Sequence, residues 1–164
     1  MNLIEELKNY CDINNPVGAL MLSGEWGCGK TYLIKTKFIP SVKDTYVFVC
    51  ISLFGIDSLD KLRVEVKKKW LEKASEFDSL NGTKVSRVAD SCRRIFDTIK
   101  DRLPENWQKK GEVVSSIMDL INFMPISNRM FEKKVILVFD DLERTNISCT
   151  DLLGCINDYC ENQD

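Results

Sequence analysis

Eight consecutive residues, Gly24 to Thr31, constrain this chain more than any other part of it. They read Gly-Glu-Trp-Gly-Cys-Gly-Lys-Thr and match the pattern G-x-x-x-x-G-K-[ST] without a mismatch. The apolar run Val17–Ser23 leads into them, and Lys30–Phe38 continues as a helix that we expect to end at Pro40. Glycines permit the tight turn that brings backbone N–H groups within reach of phosphate oxygens. The segment therefore predicts a buried strand, a phosphate-binding loop (P-loop) and a helix.

The residue types in this loop predict how a nucleotide would be held. Lys30 offers a mobile positive charge to the β- and γ-phosphates, and Thr31 offers its hydroxyl to magnesium. The first turn of the helix adds unpaired N–H donors and the positive end of its dipole. Trp26 either covers the loop or packs against the domain. The expected ligand is ATP with Mg2+, and the predicted binding residues are Gly24, Glu25, Trp26, Gly27, Cys28, Gly29, Lys30, Thr31 and Tyr32.

A second candidate motif is the apolar run Val135–Phe139, which is followed by Asp140 and Asp141. Acids at the carboxyl end of a parallel strand face the ligand crevice. Asp140 is expected to hold magnesium, directly or through water. Asp141 takes the place of a residue that polarises the attacking water, and we expect Asp141 and Lys30 to serve catalysis.

The remaining segments predict an α/β protein built on a parallel sheet. Three strands are visible, and the order of strands and helices indicates three layers, α/β/α, with a helical insertion at residues 81–130 between the two motifs. Asp57 and Ser58 are expected to cap a helix whose apolar stripe includes Leu62 and Val66. The further predicted elements are a helix at Asn2–Cys11, a strand at Tyr46–Leu53, helices at Val85–Leu103 and Glu112–Met124 after an Asn81-Gly82 turn, and a last helix, Asp151–Tyr159, capped by Thr150 or Ser148.

The two motifs together resemble a known family. Gly24–Thr31 resembles the G-x-W-G-x-G-K-[ST] form of the KAP family of P-loop NTPases, and Asp140-Asp141-Leu142-Glu143-Arg144 is similar to that family's D-D-L-[DE]-R segment. The resemblance implies an ATPase module with Walker A and Walker B motifs, in which an additional strand lies between the strands that carry them. It also implies a link to bacterial defence against phage or plasmids. Arg144 would contact phosphate across an assembly interface or hold Asp141 in place, the alternative being an ion pair with a neighbouring acid such as Glu143.

One expected part of such a module is missing from the pattern. A complete module of this type has a further strand after Walker B, but residues 145–164 read as one helix. We therefore expect residues 1–164 to be a single domain that is an N-terminal portion of a longer one, or a domain that self-association completes, since exposed strand edges favour pairing.

Composition sets the remaining expectations. The net charge of -2 leaves no footprint for nucleic acid, and the longest apolar segment, Val113–Ile126, is interrupted by polar residues, so no membrane span is expected. Seven cysteines without CxxC spacing and without any histidine are typical of reduced thiols, which favours the cytoplasm.

Three functions remain open at this point. The leading one is an ATPase whose hydrolysis drives a conformational switch, and the second is a regulatory or assembly module that binds nucleotide without turnover. The third is a small-molecule kinase, for which Arg93-Arg94 is the only dense arginine candidate for a lid. A GTPase is disfavoured because the chain has no [NT]-K-x-D segment to read guanine.

Overall fold

A computed structural model describes residues 2–81 and 133–161. The elements are two strands and several helical segments, and apolar periodicity accounts for most of them. In chain order they are α1 (Leu3–Asp12), α2 (Lys30–Tyr32), a π-helical stretch (Leu33–Phe38), α3 (Ile39–Val42), β1 (Tyr46–Ser52), α4 (Leu59–Asn81), β2 (Lys134–Asp140), a 3-10 turn (Leu142–Arg144) and α5 (Cys149–Glu161).

The two strands pair in parallel, as predicted for Tyr46–Leu53 and Val135–Phe139. The register runs from Tyr46 opposite Lys134 to Ser52 opposite Asp140. The N–H of Leu53 extends the ladder by donating to the carbonyl of Asp140 at 2.9 Å. Both strands therefore end at the same level, which places the residues that follow them at one edge of the sheet.

Helices cover both faces of β1. Successive side chains of a strand point to opposite faces, and here Val49 and Ile51 pack with α4 and α5 while Phe48 packs with α1 and the helix after the P-loop. The predicted stripe of α4 lies in the first of these clusters, with Leu62 and Val66 fully buried. The described residues thus form an α/β arrangement with helices on the two sides of a parallel sheet.

The third predicted strand, Val17–Ser23, is not confirmed. Within the described ranges only β1 and β2 pair, so the sheet has two strands where the sequence predicted three. Val17 is 99% exposed and Met21 70% exposed. A strand needs a neighbour for its N–H and C=O groups, and β1 is the one strand described beside β2. The segment is instead attached through the hydroxyl of Tyr10, which donates to the carbonyl of Gly18 at 2.6 Å.

The predicted end of the P-loop helix at Pro40 is wrong. Helical structure continues to Val42, and Pro40 lies in the first turn of α3. Proline is tolerated there because it brings no N–H that would need an acceptor. In the π-helical stretch just before it, the chain is wound more widely, and the N–H of Ile39 donates to the carbonyl of Ile34 five residues back.

Helix caps follow the sequence closely. The N–H of Lys61 donates to the hydroxyl of Ser58 at the start of α4, and the N–H of Asp151 donates to the hydroxyl of Ser148 at the start of α5. Ser148, rather than Thr150, is therefore the cap of the last helix, which begins at Cys149. Asn2 caps α1 in the same way through the N–H of Ile4.

The predicted insertion lies almost entirely outside the described residues. Asn81 is the last residue of α4, and Val85–Leu103, Arg93-Arg94 and Glu112–Met124 fall outside the described ranges. Within those ranges every cysteine is a free thiol, and no helix combines the length and apolar character that a bilayer crossing requires.

Candidate functional site

The glycine-rich loop adopts a backbone that only glycine accepts easily. Gly27 and Gly29 have φ of 80° and 89°, in the left-handed region. A side chain at either position would meet nothing within 4 Å, so the need for glycine there is conformational and not a matter of space. Gly29 is the residue that enters α2, and its left-handed conformation turns the chain into the helix.

Lys30 folds back onto the loop that precedes it. Its ammonium group donates to the carbonyl of Gly24 at 2.8 Å and to that of Glu25 at 3.0 Å, and it lies 3.9 Å from the Sγ of Cys28. The side chain is therefore held against the loop by backbone oxygens. Such an ammonium group can exchange those oxygens for phosphate oxygens without a change in the backbone.

Thr31 and Asp140 meet although 109 residues separate them. The Thr31 hydroxyl lies 3.1 Å from each carboxylate oxygen of Asp140. The structure thus brings together the two residues predicted to hold magnesium. Lys35, one helical turn beyond Thr31, places its ammonium group 3.5 Å from Oδ2 of the same carboxylate.

The donor set at this point suits magnesium. Mg2+ prefers hard oxygen ligands and is usually held by one or two protein groups, with phosphate and water supplying the others. The Thr31 hydroxyl and the Asp140 carboxylate, which are in contact, provide two such protein groups. Elsewhere in residues 2–81 and 133–161, no group of three or more histidine, cysteine, aspartate or glutamate residues forms a metal cluster.

Asp141 is held in a strained backbone conformation by contacts on both carboxylate oxygens. Its φ is 61°, which is uncommon for a residue with a side chain. The hydroxyl of Ser52 donates to its Oδ2 at 2.8 Å, and Nε of Arg144 lies 3.7 Å from its Oδ1. Its own N–H donates to Oδ1 of Asp140 at 3.1 Å. Asp140 and Asp141 are therefore fixed relative to each other.

Arg144 links the two motifs. Its guanidinium carbon lies 6.0 Å from the ring centre of Trp26 and 5.5 Å from that of Phe54, within the range of cation–π attraction. Its ion pair among the described residues is with Asp141, at 3.7 Å from Nε to Oδ1. Trp26 is 78% exposed, so it lies over Arg144 at the site rather than in the core.

The other predicted binding residues lie at the surface of the same region. Cys28 is an exposed thiol, and Tyr32 is exposed in the first turn of the helix, where its carbonyl accepts from the hydroxyl of Thr36. All the predicted site residues from Gly24 to Tyr32 belong to one continuous loop and helix start, and Thr31 and Trp26 join that segment to Asp140 and Arg144.

Sequence reasoning missed two residues of this site, Ser52 and Lys35. Ser52 is the polar residue near the end of the apolar run Tyr46–Leu53, opposite Asp140 in the register. Its position could have indicated a place in the site, because the carboxyl ends of neighbouring parallel strands lie at the same edge of the sheet. Lys35 could be found from its spacing, since residues four apart share a helix face.

A loop that leads into a helix N-terminus, together with paired acids at the end of a parallel strand, defines the class of P-loop domains. Within that class, the model of the KAP family P-loop domain matches residues 2–162. The match covers most of the chain, and the chain belongs to this family. No match was found among the curated proteins or among the solved structures.

Proposed function

We propose that this chain binds ATP with Mg2+ at Gly24–Thr31 and that hydrolysis is coupled to a conformational switch. One observation carries the proposal, which is the contact between the Thr31 hydroxyl and both carboxylate oxygens of Asp140 at 3.1 Å. Membership of a P-loop family supports nucleotide binding. The contact supports magnesium binding, because it places a hydroxyl and a carboxylate together where the loop meets the end of β2.

Phosphate binding falls to the loop and the first turn of α2. Backbone N–H groups of the turn and the helix N-terminus are directed at anionic oxygens. Lys30 would leave the carbonyls of Gly24 and Glu25 for the β- and γ-phosphates. Bound Mg2+ would neutralise charge on those phosphates, with Thr31 and Asp140 holding it.

We assign Asp141 to the orientation of the attacking water. It follows Asp140 directly, and one of its carboxylate oxygens has to accept a hydrogen bond from that water. Aspartate reaches less far than glutamate by one methylene group, so slow turnover is expected. The strained backbone at φ 61° carries the side chain away from the line of β2.

The contacts around Asp140 and Arg144 would form the switch. Lys35 and Thr31 occupy the Asp140 carboxylate, and Trp26 from the loop lies over Arg144. A phosphate and Mg2+ bound at the loop would change the charge beside Asp140, which contacts Thr31 and Lys35. Further domains or a second copy of the chain would receive the change.

The second candidate function is nucleotide binding without turnover. The observation that favours it is that both carboxylate oxygens of Asp141 are already engaged, by Ser52 and by Arg144. A carboxylate that keeps both partners has less capacity to orient a water. Such a module would hold ATP or ADP as a regulatory or assembly ligand.

Phosphate release separates the two functions. We expect slow ATP hydrolysis by the wild type and its loss in Asp141→Asn, which keeps the size of the side chain but removes its charge. Lys30→Ala should weaken nucleotide binding and lower turnover. Equal, nonzero rates in the wild type and both variants would contradict the assigned roles, and nucleotide binding with no hydrolysis by the wild type would establish the second function.

The cellular part of the proposal comes from the family resemblance and the composition. We place the chain in the cytoplasm and in bacterial defence against phage or plasmids. Cells that carry the gene should lose protection when Lys30 is replaced by alanine. Equal protection by the wild type and this variant would contradict a nucleotide-dependent role in defence.

A further inference from the structure

Ser52 lies where β1 reaches the two acids at the end of β2, Asp140 and Asp141. It is the last residue of β1 and stands opposite Asp140 in the parallel register. Its hydroxyl is 2.8 Å from Oδ2 of Asp141, across 89 residues of sequence. The side chain therefore contacts the proposed water-orienting carboxylate from a different element.

The Ser52 hydroxyl takes part in a second hydrogen bond, as an acceptor. The N–H of Phe54 donates to the Ser52 hydroxyl oxygen at 3.3 Å. A hydroxyl has one proton to give and two lone pairs to accept with. The Ser52 oxygen accepts from Phe54, and its own proton is donated to Oδ2 of Asp141. The chain from Phe54 N–H through Ser52 to Asp141 is thus ordered in one direction.

The two carboxylate oxygens of Asp141 have different partners, and Ser52 contacts only one of them. Arg144 lies on Oδ1, at 3.7 Å from Nε, while Ser52 lies on Oδ2. The Ser52 contact is the shorter and comes from the rigid end of a strand, which fixes the rotation of the carboxylate. The Arg144 contact, at 3.7 Å, is longer than a hydrogen bond, so Oδ1 keeps its lone pairs for another donor such as a water.

We infer that Ser52 is a positioning residue for ATP hydrolysis, orienting Asp141 so that Oδ1 is the oxygen that accepts from the attacking water. The inference rests on the proposed function, because it needs Asp141 to act in turnover. Ser52 itself touches neither phosphate nor water in this role. Its effect on the reaction is exerted through the orientation of Asp141.

Steady-state hydrolysis and nucleotide binding by four full-chain variants test the inference. Ser52→Ala removes the hydroxyl, Ser52→Thr keeps it, and Asp141→Asn removes the carboxylate charge. Ser41→Ala is the matched control, since its hydroxyl donates to the carbonyl of Phe38 at the far end of the P-loop helix. Ser52→Ala should lower kcat about tenfold through misplacement of a reacting group. Its KM and the Kd for ATP with Mg2+ should stay within about twofold of wild type, and Ser52→Thr should recover turnover.

Each other outcome decides against the inference in a distinct way. If Ser52→Ala matches Ser41→Ala in kcat while Asp141→Asn is inactive, Ser52 does not position Asp141 and the proposed function stands. A rise in Kd or a fall in melting temperature of Ser52→Ala that accounts for its loss of turnover shows a structural role only. The same conclusion follows if Ser52→Thr is as slow as Ser52→Ala. If the wild type and Asp141→Asn do not differ in turnover, the proposed function fails and the inference fails with it.

Discussion

Trp26 and Arg144 illustrate what single residues contribute to this site. Each belongs to a motif that the sequence alone revealed, but their contact at 6.0 Å joins the P-loop to the segment after β2. The P-loop and both acids could be recognised in the sequence because these chemical types have a required spacing. It did not predict Ser52 or Lys35, because their roles depend on which side chains the strand register and the helix face bring to Asp140 and Asp141.

The planar shape of Arg144 gives a prediction at this scale. A guanidinium can lie over the rings of Trp26 and Phe54 while its Nε faces Asp141, whereas an ammonium group cannot stack in this way. We expect Arg144→Lys to lower ATP turnover about threefold or more even though the charge is kept. Phosphate release measures it, with Glu143→Gln as the control that should leave the rate unchanged. Wild-type turnover by Arg144→Lys would show that charge alone is needed.

At the scale of elements, the described strands and most helices follow from apolar periodicity and capping residues. The exceptions have physical causes. Pro40 does not end the helical structure because it lies in the first turn of α3, directly after the more widely wound π-helical stretch. Val17–Ser23 has the composition of a strand, but composition cannot supply the neighbouring strand that would pair with it. Local pattern thus predicts an element reliably only where its partners are also present.

The cap of α4 gives a prediction for an element. The hydroxyl of Ser58 accepts from the N–H of Lys61 in the first turn of a helix that carries much of the core. Ser58→Ala should reduce the free energy of unfolding by about 1 kcal/mol, because it leaves that N–H without a side-chain acceptor. Urea unfolding followed by circular dichroism measures the loss. Ser58→Asp, which keeps an acceptor, should stay close to wild type, and an alanine variant as stable as wild type would show that water replaces the cap.

At the scale of the whole molecule, the two faces of the sheet are held in different ways. One face is an apolar cluster with α4 and α5. On the other face, α1 is also attached by polar contacts, since Tyr46 donates to Asp12 and Lys134 donates to the carbonyl of Cys11. The α/β class was predictable from the order of elements. The number of strands was not predictable in this way, because the predicted strand Val17–Ser23 has no paired neighbour within the described residues.

The contact between Tyr46 and Asp12 predicts how stability depends on pH. Burial, assisted by the hydrogen bond to Asp12, raises the pKa of Tyr46 from 10.0 to about 12. A group whose pKa is higher in the folded state contributes stability that is complete below its unfolded value and is lost as the pH rises through the folded one. The wild type should therefore lose up to about 3 kcal/mol between pH 10 and pH 12 on this account.

Tyr46→Phe removes the titrating group and isolates this effect. Its free energy of unfolding should fall less steeply between pH 10 and pH 12 than that of the wild type. Tyr159, whose pKa burial also raises to about 12, remains in both proteins and sets the common background. Parallel curves for the two proteins in denaturant titrations over this range would show that Tyr46 ionises as easily in the folded chain as in the unfolded one.

Calorimetric titration with ATP and Mg2+ tests the central claim most directly. Lys30→Ala is the decisive variant, and Lys37→Ala, an exposed lysine on the same helix, is its matched control. We expect wild type and Lys37→Ala to bind alike, and Lys30→Ala to bind about tenfold to a hundredfold more weakly because charge-assisted hydrogen bonds to phosphate are lost. Absence of binding by the wild type, or equal affinities for all three proteins, would contradict a nucleotide site at Gly24–Thr31.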